Sequence, residues 1–250
     1  MSVSSKVSDP SPDRNAGGFV ASPPDPLRYD GHLLDPDEVS GIVVSMVPRG
    51  SRVLDVGCGT GSLDRILAER CEAKVVGVEP DRARAEVALG RGIHVEVAYL
   101  TEDLIARLGR FDVVLLADVL EHLPDPQTML LLCRDALESR GAVIISVPNV
   151  AHWSVRSYLV RGRFEYRSWG IMDATHLRWF TAESLKSFLA RSGFNVVGYR
   201  GTAGIWLVDN IYRAPIGWLP EGCRTRFLRT ACRRWPTLFG AQHVVKAEVV

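Results

Sequence analysis

The sequence has no apolar run close to the roughly 20 residues that a membrane-spanning helix requires, so no transmembrane segment is expected. It has no excess of either charge. The 30 Lys and Arg stand against 29 Asp and Glu, and a formal net charge of +1 gives no general pull toward nucleic acid or anionic surfaces. It has no Cys-x-x-Cys pair. Its 5 cysteines (Cys58, Cys71, Cys133, Cys223 and Cys232) are scattered and odd in number, which argues against a disulfide framework or a zinc site and for a reducing, cytoplasmic setting. No apolar core flanked by basic residues opens the chain, so no secretory leader is expected. No internal repeat is visible. What remains is ordinary for a globular protein: 250 residues, 46% hydrophobic and 24% charged, enough to bury a substantial core.

The stretch that organises the rest is Val53–Gly61, Val-Leu-Asp-Val-Gly-Cys-Gly-Thr-Gly. A β-branched, apolar run ends in a turn with Gly57, Gly59 and Gly61, and a helical pattern follows with Leu63, Ile66 and Leu67 on one face. Glycines let the backbone bend sharply and let a ligand approach without a Cβ in the way. No Lys-Ser/Thr pair follows, which excludes a triphosphate-binding loop of the usual kind. A dinucleotide fingerprint would put its third glycine at Ser62, and Gly61 comes one residue early; this counts against a nicotinamide-dependent oxidoreductase. A second strand, Val75–Val78, ends in Glu79, placed to accept hydrogen bonds from both hydroxyls of a ribose. The site suits an adenosine-like or other nucleoside ligand, with no provision for a pyrophosphate.

Four ordered segments, Asp55–Gly61, Gly77–Asp81, Phe111–Val114 and Leu120–Leu123, resemble the motifs of class I S-adenosylmethionine-dependent methyltransferases. The resemblance covers roughly Val39 to Pro148, and the stretches Pro148–Arg156 and Asp173–Thr181 resemble a subgroup with methionine-biosynthesis-associated and glycan-linked members. It implies a Rossmann-like α/β fold: a seven-stranded, mostly parallel sheet flanked by helices, with a helical cap and an antiparallel C-terminal edge hairpin. It implies S-adenosylmethionine as cofactor. The turn of Gly57, Cys58, Gly59 and Gly61 would hold the methionine part, with Asp55 near its ammonium group, Glu79 on the ribose and Pro80 beside the adenine. The resemblance implies an acid after the third strand that contacts the adenine amino group; Tyr99, or Leu100 in a shifted register, stands there instead, with Glu102 and Asp103 close enough in sequence to reach in. Asp118, after the fourth strand, would face the methyl group.

Along the chain, residues 1–30 are rich in Ser, Pro, Asp and Gly and are expected to be a disordered arm, with 31–250 as the methyltransferase domain. A helix is expected over Pro36–Met46, capped by Asp35. Strands are expected at Arg52–Val56, Lys74–Val78, His94–Ala98, Phe111–Leu116, Ala142–Val147, Asn195–Tyr199 and Gln242–Val250. Helices are expected at Ser62–Glu69, Asp81–Leu89, Glu102–Leu108, Gln127–Leu137 and Ala182–Ser192, the last capped by Thr181. Two segments, about 150–180 and 202–241, would build the cap. The second is basic and aromatic: six arginines against Asp209 and Glu221. It reads as a helix with aromatics packed inward and arginines in solvent, or as a surface for an acidic or lipid-linked substrate or for peripheral membrane contact.

Methyl transfer from a sulfonium is an in-line displacement in which the protein mainly aligns donor and acceptor. A hydroxyl acceptor also needs a base. The candidates are His122, His152 and His176; Asn149, Trp153, Arg156 and Arg178 are the candidate acceptor contacts, in loops expected on the active face. No metal is expected, because no carboxylate cluster suited to a hard cation stands among them. The function expected is O-methylation of a small-molecule or lipid/glycan-linked acceptor, the preference for oxygen resting on the three histidines. Two alternatives stand beside it: a catalytically silent regulator of the same fold that binds a partner enzyme, and the oxidoreductase above. A nucleic-acid substrate is disfavoured, since no Asn/Asp-Pro-Pro-Tyr/Phe motif follows the fourth strand. Nothing in the sequence specifies an oligomeric state.

Overall fold

The computed structural model of the protein describes residues 34–205 and 218–250. The expected arm, 1–30, and the part of the second cap segment around Trp206, Asp209 and Arg213 lie outside the described residues.

Seven strands form one sheet among the described residues: β1 (Arg52–Val56), β2 (Lys74–Val78), β3 (His94–Glu96), β4 (Phe111–Ala117), β5 (Leu137–Pro148), β6 (Phe194–Gly201) and β7 (Gln242–Val249). The order is β3-β2-β1-β4-β5-β7-β6, with β1 to β5 parallel and β7 antiparallel to both β5 and β6. Asp55 pairs with Gly77 on one side and Leu115 on the other, so the carboxyl ends of β1, β2 and β4 are aligned. The chain leaves β1 toward β2 and later returns on its other side as β4. Ligands of such sheets bind outside the strand ends at that reversal.

The apolar strand runs are explained by burial on both faces. Leu54, Val56, Val114, Leu116, Val143 and Ile145 pack under α4 (Glu102–Leu108), α5 (Pro126–Ala136) and α7 (Ala182–Arg191). The alternate residues Val53, Val113, Leu115 and Ile144 pack under α1 (Val39–Met46) and α2 (Ser62–Cys71). The remaining helices are α3 (Arg82–Gly90), α6 (Trp153–Val160), α8 (Glu221–Arg234) and the short α9 (Pro236–Phe239). Asp81 caps α3, Asp125 caps α5 with Pro126 at its first position, and Thr181 and Ser184 form a reciprocal cap on α7.

Several boundaries differ from the sequence expectation. The first helix starts at Val39 rather than Pro36, because the Asp35 side chain accepts from Asp37 N at 2.9 Å and its carbonyl accepts from Glu38 N at 3.1 Å, closing a turn ahead of the helix. β3 stops at Glu96, whose carbonyl accepts from both Glu79 N and Ala98 N. α5 ends at Ala136, since Leu137 already pairs with Phe111 in the sheet. The arginines of α8 are not all in solvent. Arg229 Nη2 lies 2.6 Å from Asp35, and Arg233 Nη2 lies 2.9 Å from Asp37, which is itself buried. These pairs tie α8 to the turn before α1.

Candidate active site

One side of the candidate site is built from backbone close in sequence. Gly57, Gly59 and Gly61 have φ of 79°, 56° and 69°, a region that side chains disfavour. A Cβ at Gly57 would sit 2.8 Å from Val119 Cγ2, so the turn after β1 packs directly on the loop after β4. Gly77 makes room for the Cys58 thiol, 2.5 Å from where its own Cβ would be. Burial, then the carboxyls of Asp55, Asp64 and Glu79, push that thiol far above the ordinary range, which leaves it a packing group.

Glu79 is buried, and its two oxygens accept from Gly59 N and Asp81 N, each at 2.8 Å. One carboxylate therefore fixes both the glycine turn and the start of α3. Asp55 is buried, and its Oδ1 meets no donor among the described residues. Burial, then the nearby Asp64 and Glu79, hold its carboxyl well above the usual range. Pro80 and Tyr99 are exposed at the strand ends, Tyr99 at 75%. Its neighbour Leu100 turns inward and is buried.

The other side is assembled over long sequence distances. Asp118 follows β4 with φ of 56°, a conformation uncommon for a residue with a side chain. Its oxygens accept from Gln242 Nε2 at 2.8 and 2.9 Å, and Oδ1 also accepts from Ser146 Oγ at 3.0 Å. Sequence reasoning missed Gln242 and Ser146; the parallel pairing of β5 with β4 brings Ser146 there, and the antiparallel return of β7 next to β5 brings Gln242.

A 3₁₀ turn, Leu120–His122, comes next. The Glu121 carbonyl accepts from Leu177 N at 2.7 Å and Arg178 N at 3.0 Å, which docks the 173–178 loop over this turn. Loop and turn then bring His122 and His176 together, ring centroids 4.9 Å apart and nearly perpendicular. His122 Nδ1 lies 3.1 Å from Thr175 O, and His176 Nδ1 lies 3.1 Å from Ile171 O. Each pairing puts the proton on Nδ1 and leaves Nε2 with its lone pair. Burial, then His122, lower the pKa of His176 and keep it neutral.

Glu121 joins them. It is buried, neither side-chain oxygen meets a donor among the described residues, and burial followed by Asp118 raises its carboxyl well above the usual range. Glu121, His122 and His176 each offer a ligand atom within 4.8 Å of the others. The sequence singled out both histidines but read Glu121 only as part of a motif; its burial beneath the loop is a tertiary feature.

The remaining candidates lie elsewhere. His152 is fully buried and caps α6, with Nδ1 2.8 Å from Ser154 Oγ and a further hydrogen bond to the Phe239 backbone. Burial lowers its pKa to about 4. Asn149 is fully buried: its amide donates to Thr237 O at 3.1 Å and Gly240 O at 2.7 Å, and its oxygen accepts from Ala151 N at 2.9 Å. It stitches the end of β5 to the α8–α9 segment. Trp153 opens α6 beside His152. Arg156 and Arg178 are exposed; Arg156 holds Ala151 O at 2.6 Å, and Arg178 holds Pro124 O at 2.6 Å. The structure thus groups His122 and His176 and places His152 and Asn149 in packing positions.

A family model described as "Methyltransferase domain" matches residues 36–199. The ubiquinone biosynthesis O-methyltransferase of Cereibacter sphaeroides (strain ATCC 17025 / ATH 2.4.3) is 34% identical over 163 residues, 61% of this chain and 64% of that protein. The chain therefore spans less than two thirds of that relative's length. An S-adenosylmethionine-dependent methyltransferase from Mesorhizobium loti superposes with a TM-score of 0.54 at 19% identity, covering 84% of this chain and 97% of that one. The magnesium protoporphyrin IX methyltransferase of Synechocystis PCC 6803, solved with bound S-adenosylmethionine, gives 0.51 at 16% identity, covering 84% and 78%. No helix among the described residues is long and apolar enough to cross a membrane.

Proposed function

We propose, from the fact that this chain belongs to the methyltransferase domain family, that it transfers the methyl group of S-adenosylmethionine to a hydroxyl oxygen of a small-molecule or lipid- or glycan-linked acceptor. The observation that carries this reading is the packing of the acid-lined glycine turn on the loop that bears His122. The matched relative's O-methyltransferase name supports oxygen as the acceptor atom. In this reading Asp55 and the turn of Gly57, Cys58, Gly59 and Gly61 receive the methionine part. Glu79, already braced on two backbone N–H groups, accepts from the ribose hydroxyls, while Pro80 and Tyr99 flank the adenine. Asp118, held by Gln242, borders the methyl group.

The donor carries its own activation as a sulfonium, so alignment and water exclusion supply most of the catalysis. The acceptor hydroxyl gives its proton to Nε2 of His122 as the new C–O bond forms and the sulfonium leaves as a thioether. The Thr175 carbonyl orients that ring through Nδ1, and His176 packs against its edge. His152 and Asn149 hold the loops, and the exposed Arg156 and Arg178 line the way in. The Glu121, His122 and His176 set also suits a divalent cation that accepts nitrogen and oxygen ligands. Methyl transfer abolished by a chelator and restored by a metal would favour that second role. Exposed Trp218, Arg226, Phe227, Arg234 and Trp235 on and beside α8 support peripheral contact with an anionic membrane where a lipid-linked acceptor would reside. We place the protein in the cytoplasm.

Calorimetric titration with S-adenosylhomocysteine tests the donor site. Saturable binding that weakens about tenfold or more in Glu79→Ala, roughly 1.4 kcal/mol, is expected. No binding to the wild type would favour the silent regulator instead.

A further inference from the structure

The acids beneath the glycine turn include one that the motifs do not name. Asp64 sits in the first turn of α2, fully buried, and neither of its oxygens meets a donor among the described residues. Its carboxyl lies within hydrogen-bonding reach of Asp55, whose Oδ1 also lacks a donor. Two buried carboxylates at that separation repel one another, and they bond only if one of them carries a proton.

The surroundings offer no other counter-charge. Glu79 faces Asp55 from β2, Cys58 sits in the turn among all three acids, and β4 contributes Leu115 alongside. No basic side chain is among the groups that act on either aspartate. Burial holds both carboxyls above the usual range, so the pair keeps a proton between them. A buried, acidic and partly unsatisfied cluster of this kind suits a cation.

We propose that Asp64 is a positioning residue for the cofactor: Asp55 and Asp64 hold one proton between them in the free protein, and the α-ammonium of the cofactor, docking beside Asp55, expels that proton to solvent. This rests on the proposed cofactor reading and adds to it. The balance is simple. Before binding, the protonated carboxyl of the pair donates to the carboxylate of the other. Afterwards the ammonium donates to the Asp55 carboxylate, the displaced proton goes to buffer, and no covalent bond other than that O–H breaks. Affinity for the amino-acid-bearing ligand should therefore strengthen with pH.

The test is titration of the wild type with S-adenosylhomocysteine and with 5′-methylthioadenosine, which keeps the nucleoside but lacks the ammonium. Each titration is run in buffers of different ionisation enthalpy. About one proton released per S-adenosylhomocysteine near pH 7 is expected, with affinity rising up to about tenfold per pH unit, and about none for 5′-methylthioadenosine. Asp64→Asn supplies an amide N–H to Asp55 without a titrating proton. It should bind both ligands, abolish the release and flatten the pH profile. Tight S-adenosylhomocysteine binding to the wild type without proton release overturns the proposal, as does an unchanged release in Asp64→Asn. Failure of the wild type to bind either ligand overturns the cofactor reading itself. The wild-type comparison needs no variant to fold.

Discussion

The two sides of the cleft are built in opposite ways. The glycine-turn side comes from one short stretch, β1 to α3, and its turn bonds to near neighbours, as from Gly59 to Glu79 across 20 residues and from Arg91 to Thr60 across 31. The histidine side and the loops that hold it are drawn from distant segments. Gln242 reaches Asp118 across 124 residues, Asn149 reaches Gly240 across 91, and His122 reaches Thr175 across 53. A locally built site depends on turn chemistry. A site built at long range depends on the whole sheet closing correctly, so a change there can alter geometry without touching the reacting atoms.

The sharpest way to separate the two sides is His122→Ala. Loss of a positioned base typically costs ~10²–10⁴-fold in rate. We expect kcat to fall in that range with affinity for S-adenosylhomocysteine unchanged within about twofold. A matching fall in cofactor affinity would mean that the two sides are not independent.

Asn149→Ala should produce the next largest effect, through assembly rather than chemistry. It removes three hydrogen bonds and orphans the Gly240 carbonyl in a buried position. A cost of about 3 kcal/mol follows, read as a lower urea midpoint. Methyl transfer should weaken while S-adenosylhomocysteine binding persists in the folded fraction. Unchanged stability would mean that the α8–α9 segment does not depend on this stitch.

The same division explains what could be read in the sequence. The glycine turn, Glu79, the caps at Asp81, Asp125 and Thr181, and the alternation of buried strands with helices are local signals, and the structure shows the corresponding elements. The resemblance to class I methyltransferases supplied the sheet's antiparallel ending, which short-range patterning does not specify. The pairing of His122 with His176, the burial of Glu121 and the grip of Gln242 on Asp118 arise only when β5, β7 and the 173–178 loop meet. His152 looked as reactive as the other two histidines because a sequence shows residue type, not burial. Its role as a helix cap is set by Ser154 and the Phe239 backbone.

Protonation should separate the regions too. His152 is held near 4, against 6.5 for an ordinary histidine, so its unfolded form binds the extra proton between those values. The stability it contributes is present above about pH 6.5 and is lost as pH falls toward 4, about 2 kcal/mol by pH 5. Asp55 and Asp64 are held high, so their contribution is present at low pH and is lost as pH rises through their folded values, about 6 for Asp64. Hydrogen exchange, corrected for intrinsic rates, should show α6 opening more readily at pH 5 than at pH 8 and α2 the reverse. A uniform response across both helices would contradict the contrast.

The smallest expected effect lies at Tyr99, where the locally built side departs from its relatives' pattern. The ring is 75% exposed at the end of β3, and Leu100 beside it is buried, so Tyr99 is the side chain free to cover an adenine. An aromatic contact of that kind is worth ~1 kcal/mol, about fivefold in affinity. Tyr99→Ala should weaken S-adenosylhomocysteine by that amount, and Tyr99→Phe should not, because stacking uses the ring and not the hydroxyl. Equal losses in both variants would point instead to a hydrogen bond from the phenol, the role that the family resemblance implies for an acid at this place. The acid would then have been replaced in chemistry as well as in position.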